Sequence, residues 1–146
     1  MSSKKPYGWS GACTHSPLET QRAGGDFARY LRPGEVVALH GELGSGKTTF
    51  IKGIAEAIGL DDPVSSPTFA LIHEYGNPPE LYHFDCYRET ALERWESLGL
   101  AEYFDDEVIS VIEWAEIIAP LLPERAIHVT LSHGADENER LIEVAQ

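Results

Sequence analysis

The 146-residue chain is the size of one domain, long enough to bury a core without disulfides or a structural metal. Its 24 acidic residues against 11 Lys+Arg give a formal net charge of −13, a field that repels a phosphate backbone and excludes a broad nucleic-acid footprint. Its two cysteines, Cys13 and Cys86, form no C-x-x-C and no Cys/His cluster at zinc-finger spacing, which argues against a disulfide framework or a structural zinc site.

Residues 1–8 read as a flexible tail, and residues 9–146 as a single domain without repeats or linkers. Lys4-Lys5 is not followed by the apolar region of a secretory signal. No run of about 18 apolar residues appears, so a cytoplasmic protein without a membrane span is expected.

Ser16-Pro17-Leu18-Glu19 combines an N-cap Ser, Pro at the first helical position and Glu at the third, and predicts a helix to about Tyr30. Gly24-Gly25 inside it predicts either close backbone packing or a weak middle. After the turn at Pro33-Gly34, residues 35–40 predict a buried strand that feeds a glycine-rich segment. From Lys47, apolar Phe50, Ile51, Ile54, Ala55 and Ile58 recur at helical spacing, with Gly59 as the C-terminal cap.

Two β-rich runs, 68–75 and 81–87, flank a turn at 76–80, and a helix is predicted over 91–98. Residues 108–114 predict a strand and 116–121 a short helix. Residues 126–131 and 141–145 predict a hairpin around Gly134 to Asn138. This order predicts an α/β fold with a mixed parallel/antiparallel sheet flanked by helices, and the glycine-rich segment Gly41 to Thr48 makes the expected class a P-loop NTPase.

Gly41-Glu42-Leu43-Gly44-Ser45-Gly46-Lys47-Thr48 fits G-x-x-x-x-G-K-[ST] at every fixed position. Glycines let backbone N–H groups turn toward phosphates, Lys47 reaches the β- and γ-phosphates, and the Thr48 hydroxyl ligates Mg²⁺. Strand before and helix after are the context that the motif requires, and the helix adds its positive end near Lys47 to Thr49. The expected ligands are therefore ATP or ADP with Mg²⁺; no N-K-x-D guanine-reading run occurs.

Phosphoryl chemistry also needs an acidic group at the end of another strand, to hold the metal or orient water. Asp85 and Glu113 each end an apolar run, where a carboxylate without a partner would be costly to bury. Ser66-Pro67-Thr68 lies where a switch-like segment would carry a hydroxyl toward the γ-phosphate, although an ordinary Ser/Pro turn accounts for the local sequence better. The six histidines, 15, 40, 73, 83, 128 and 133, are read as structural.

These segments, with Ser66-Pro67-Thr68-Phe69, His83-Phe84-Asp85-Cys86-Tyr87-Arg88 and Ile112-Glu113-Trp114 in this order, resemble the bacterial TsaE (YjeE) family from about Ser16 to Ala145. The resemblance implies a weak ATPase, accessory in tRNA N6-threonylcarbamoyladenosine modification, acting on TsaD and TsaB and meeting tRNA only through that complex. It implies that Lys47, Asp85 and Glu113 are catalytic. Thr48 and Glu113 would ligate Mg²⁺, with Asp85 in the outer shell or positioning water. Thr68 would lie on a mobile segment, Trp114 beside the site, and adenine near Thr20 and Arg140. Ser45, Cys86 and Ala115 depart from the family's common residues without removing a phosphate or metal ligand. The alternative is a small-molecule P-loop kinase, for which Arg88 and Arg94 are the available lid arginines.

Overall fold

The computed structural model describes residues 9–60, 71–76 and 78–145. The strands are β1 (Ala12–Thr14), β2 (Val36–His40), β3 (Ile72–Tyr75), β4 (Leu81–Asp85), β5 (Ile109–Glu113), β6 (Ile127–His133) and β7 (Arg140–Ala145). The helices are α1 (Pro17–Ala28), α2 (Lys47–Ala57), α3 (Leu92–Ser97) and α4 (Leu100–Asp105), with 3₁₀ turns at Cys86–Arg88 and Ala115–Leu121. One sheet runs β1-β7-β6-β2-β5-β4-β3. Its centre, β6, β2, β5 and β4, is parallel, and its edges join antiparallel.

Both faces of the sheet are covered, which is why the central strands read as unbroken apolar runs rather than alternating ones. Along β2, Val37 and Leu39 join a core with Phe27, Phe50, Ile51 and Ile54 from α1 and α2. Val36 and Ala38 face the other way, toward Trp95, Phe104 and Ile118.

Helix α1 begins as its capping sequence requires, the Ser16 side chain accepting from the Glu19 N–H. Of its two glycines, Gly24 sits at a close crossing with α2. A Cβ on Gly24 would collide with the Phe50 carbonyl, and one on Gly53 of α2 with the Gln21 carbonyl. Gly53→Ala is therefore expected to cost about 1–3 kcal/mol by forcing the helices apart. Gly25→Ala meets only ordinary contacts, at 3.5 Å and beyond, and should stabilise by about 0.5–1 kcal/mol through helix propensity. Thermal unfolding of the two variants checks this; equal melting temperatures would refute the close crossing.

The elements differ from the sequence expectation in four places. The run 81–87 leaves the sheet at Asp85, whose carboxylate accepts from the Tyr87 N–H and starts a 3₁₀ turn. Helix α4 was not expected: Gly99, at φ 74°, separates it from α3, and six residues cannot hold a helix by propensity alone. Burial of Leu100 and Phe104 holds it instead. Strand β1 has no β-rich sequence and exists through its pairing with β7. The predicted run 68–75 is a strand from Ile72, while residues 68–70 and the tail 1–8 lie outside the described residues.

Tyr82 ties β4 to the end of α4 by donating to Asp106 Oδ2 at 2.7 Å. That bond, with burial and the Asp106 charge, pushes the phenol from its ordinary value of 10 up to about 12. The folded state thus holds this proton more tightly than the unfolded chain. Its contribution is complete below pH 10 and disappears as pH rises to about 12. Tyr82→Phe should flatten the stability profile in that window, as measured by denaturant unfolding at successive pH values; an unchanged slope would contradict the assignment.

Candidate functional site

Strand β2 leads into the loop 41–46, where Gly44 and Gly46 adopt φ of 78° and 102°, values a side chain resists. Helix α2 follows with no side-chain cap at its N-terminus, and the positive end of its dipole faces the loop, an arrangement that favours an anion. Leu43 to Thr49 line a cavity of about 440 Å³, together with Asp85, Tyr87, Arg88, Glu113 and Trp114. Gly41 and Glu42 support the loop from behind: Gly41 O accepts from Lys47 Nζ, and Glu42 O accepts from the Ser45 N–H.

The acidic groups arrive by register. Asp85 and Glu113 are paired at the carboxyl ends of adjacent parallel strands, and Leu39 of β2 pairs with Glu113 on the other side. Open α/β sheets bind ligands at these strand ends, where the chain order reverses. Both carboxylates are buried, at 6% and 5% exposure. Burial pushes the Asp85 carboxyl above its ordinary range, against the Tyr87 N–H bond that lowers it, while neighbouring Glu113 adds to the rise. Glu113 Oε2 accepts from His83 Nε2 at 2.6 Å.

Lys47 is equally withdrawn from water, with Nζ 3.8 Å from the centroid of the Trp114 ring. Burial lowers its pKa, and Glu113, Glu116 and Asp85 oppose that shift. Trp114 reaches this position through φ 58°, the one positive φ of a non-glycine residue among the described residues. Such a posture costs about 1–3 kcal/mol and clusters at functional sites. It also brings the ring within 4.9 Å of Tyr87.

A second cavity of about 150 Å³ shares Gly44, Gly46 and Thr49 with the first and is lined by Thr20 and Arg140, the residues expected near adenine. The Thr20 hydroxyl is engaged with Thr14 at 2.7 Å, and a Cβ on Gly46 would meet the Thr20 methyl at 3.4 Å. Arg140 ties the β6–β7 loop to the phosphate loop by donating to Gly44 O at 3.1 Å. Ser66, Pro67 and Thr68 lie outside the described residues.

Two residues of the site escaped sequence reasoning. His83, one of the histidines read as structural, stands opposite Val111, two residues along β5 from Glu113, and only the fold shows the Glu113 carboxylate as the partner of its Nε2; its Nδ1 has none among the described residues. Arg88, considered only as a lid residue, lines the cavity with Nε 3.8 Å from Asp85 Oδ2.

The donor set tests the expected metal. Thr48, Asp85 and Glu113 supply oxygen alone, which suits a hard cation such as Mg²⁺. The buried Ser45 hydroxyl, without a partner among the described residues, adds a polar group to the cradle.

Fold and site together define a phosphate-loop α/β protein with paired strand-end carboxylates. The family model described as threonylcarbamoyl adenosine biosynthesis protein TsaE matches residues 14–142, and the chain belongs to that family. The tRNA threonylcarbamoyladenosine biosynthesis protein TsaE of Bacillus subtilis is 39% identical over 129 residues, covering 88% of this chain and 80% of that protein. Its counterpart in Treponema pallidum is 38% identical over 128 residues, covering 88% and 95%. The crystal structure of Bacillus subtilis YdiB superposes with a TM-score of 0.75 at 34% identity, covering 92% of this chain and 84% of that one. No helix among the described residues is long and apolar enough to cross a membrane.

Proposed function

We propose that this chain is a cytoplasmic, Mg²⁺-dependent ATPase of low intrinsic turnover, an accessory subunit that acts on a TsaD–TsaB pair during tRNA N6-threonylcarbamoyladenosine formation. The observation that carries the chemistry is the convergence of Asp85 and Glu113, from neighbouring strands, on the cavity that holds Lys47 and Thr48. The partner assignment rests on family membership.

In this reading the loop N–H groups and Lys47 bind the β- and γ-phosphates. Thr48 and Glu113 would hold Mg²⁺, which when bound neutralises charge developing on the phosphate oxygens. Trp114 covers Lys47 and keeps water from its ammonium, while His83 fixes the Glu113 carboxylate. Asp85 orients the attacking water by accepting its hydrogen bond. Arg88 is turned toward Asp85, so turnover is expected to be slow until a partner supplies an arginine-type contact, worth about 10³–10⁵ in rate.

The test is calorimetric titration with ATP, ADP, GTP and GDP, followed by phosphate release with and without TsaD–TsaB. Preference for adenine nucleotides and acceleration by the pair are expected. Equal guanine affinity, or phosphate transfer to a small-molecule acceptor instead of water, would overturn the reading.

A further inference from the structure

Away from the phosphate cavity, three side chains of different chemistry meet at the β1–β7 edge. Cys13 and His15 are two residues apart and so share one face of the β1 strand path. Thr14, between them, points inward to Thr20. Continuing the antiparallel register Thr14–Arg140 by one step sets His15 across from Glu139. Cys13 Sγ lies 3.9 Å from His15 Nε2 and 3.5 Å from Glu139 Oε2, and the three ligand atoms fall within 4.8 Å of one another.

We propose that Cys13, His15 and Glu139 form a binding site for a thiophilic divalent cation of the Zn²⁺ class, with a fourth position open to water. Tetrahedral zinc with sulfur at about 2.3 Å and nitrogen or oxygen at about 2.0–2.1 Å sets its ligand atoms roughly 3.5 Å apart. The two separations from Cys13 Sγ, 3.9 and 3.5 Å, therefore need side-chain adjustments of tenths of an ångström. Glu139 is already oriented, since its Oε1 accepts from the Ala135 N–H at 2.6 Å, the kind of supporting bond that holds a metal-ligating carboxylate. Thiolate, imidazole and carboxylate together favour zinc over the oxygen-seeking Mg²⁺ of the phosphate cavity.

Binding would replace the thiol proton: the Sγ–H bond breaks, an Sγ–metal bond forms, and one proton passes to solvent. The cation would clamp the end of β1 to the loop that leads into Arg140, the first residue of β7. Through the Thr14–Thr20 and Arg140–Gly44 bonds it would brace the rim of the second cavity. Sequence alone hid the site because Glu139 lies 126 positions from Cys13.

The test uses Co²⁺ as a spectroscopic probe on the reduced full chain, without nucleotide and with Mg²⁺ in excess to occupy the oxygen site. A near-ultraviolet thiolate-to-cobalt band saturating at one ion per chain is expected, displaced by Zn²⁺ with release of cobalt. Cys86 is fully buried, so Cys13→Ser should abolish the band. His15→Ala should weaken the affinity by at least about 10-fold, the loss expected even for an outer-shell partner. No such band in the wild type, a band that survives Cys13→Ser, or unchanged affinity in a folded His15→Ala variant would each overturn the proposal. Because nucleotide is absent, these outcomes are independent of the ATPase reading.

Discussion

Lys47→Ala is expected to eliminate tight ATP binding and to lower turnover by about 10²–10³-fold, the effect of removing one preorganised charge from a phosphoryl-transfer site. Its stability should move little. Burial already penalises the ammonium and lowers its pKa, so deletion removes that cost along with the bond to Gly41 O and the contact with Trp114. A melting temperature within about 2–4 °C of wild type, the shift that 1 kcal/mol gives at this size, together with lost binding in calorimetry, identifies a residue held for the ligand. Retained ATP affinity and turnover in the folded variant would refute the phosphate-site assignment.

Substitutions of the two carboxylates should separate metal binding from water activation. Glu113→Ala should abolish the Mg²⁺ dependence of nucleotide binding and lower hydrolysis about 10²-fold or more, while Mg²⁺-free ADP binding is nearly unchanged. It also strands the buried His83 Nε2–H, which donates to Glu113 at 2.6 Å, at about 1–3 kcal/mol of stability. Glu113→Gln keeps an acceptor for His83 and should recover that stability without recovering the metal dependence. Asp85→Ala should lower kcat with little change in KM, because a water-orienting group acts mainly in the transition state. Titrations at fixed and varied Mg²⁺, paired with steady-state kinetics, distinguish these patterns. Full Mg²⁺ dependence in Glu113→Gln would remove Glu113 from the metal site.

The phosphate loop was legible from sequence because its chemistry is contiguous: Gly41 to Thr48 carry the turn, the cation and the hydroxyl within one loop and the first turn of a helix. Asp85 and Glu113 were legible for a related reason, since a carboxylate closing an apolar strand has few places to go except a strand-end site. The central strands and α1 and α2 announced themselves through apolar runs, caps and helical spacing, and the mixed sheet followed from their order. Only the tertiary structure could pair His83 with Glu113, or raise β1 and α4 from segments too short to fold on local preference. It also decided that Trp114 takes a left-handed backbone posture with its ring over Lys47. These features depend on strand register and close approach between distant residues. Period and propensity describe each segment against solvent, whereas register fixes which side chains meet when solvent is gone.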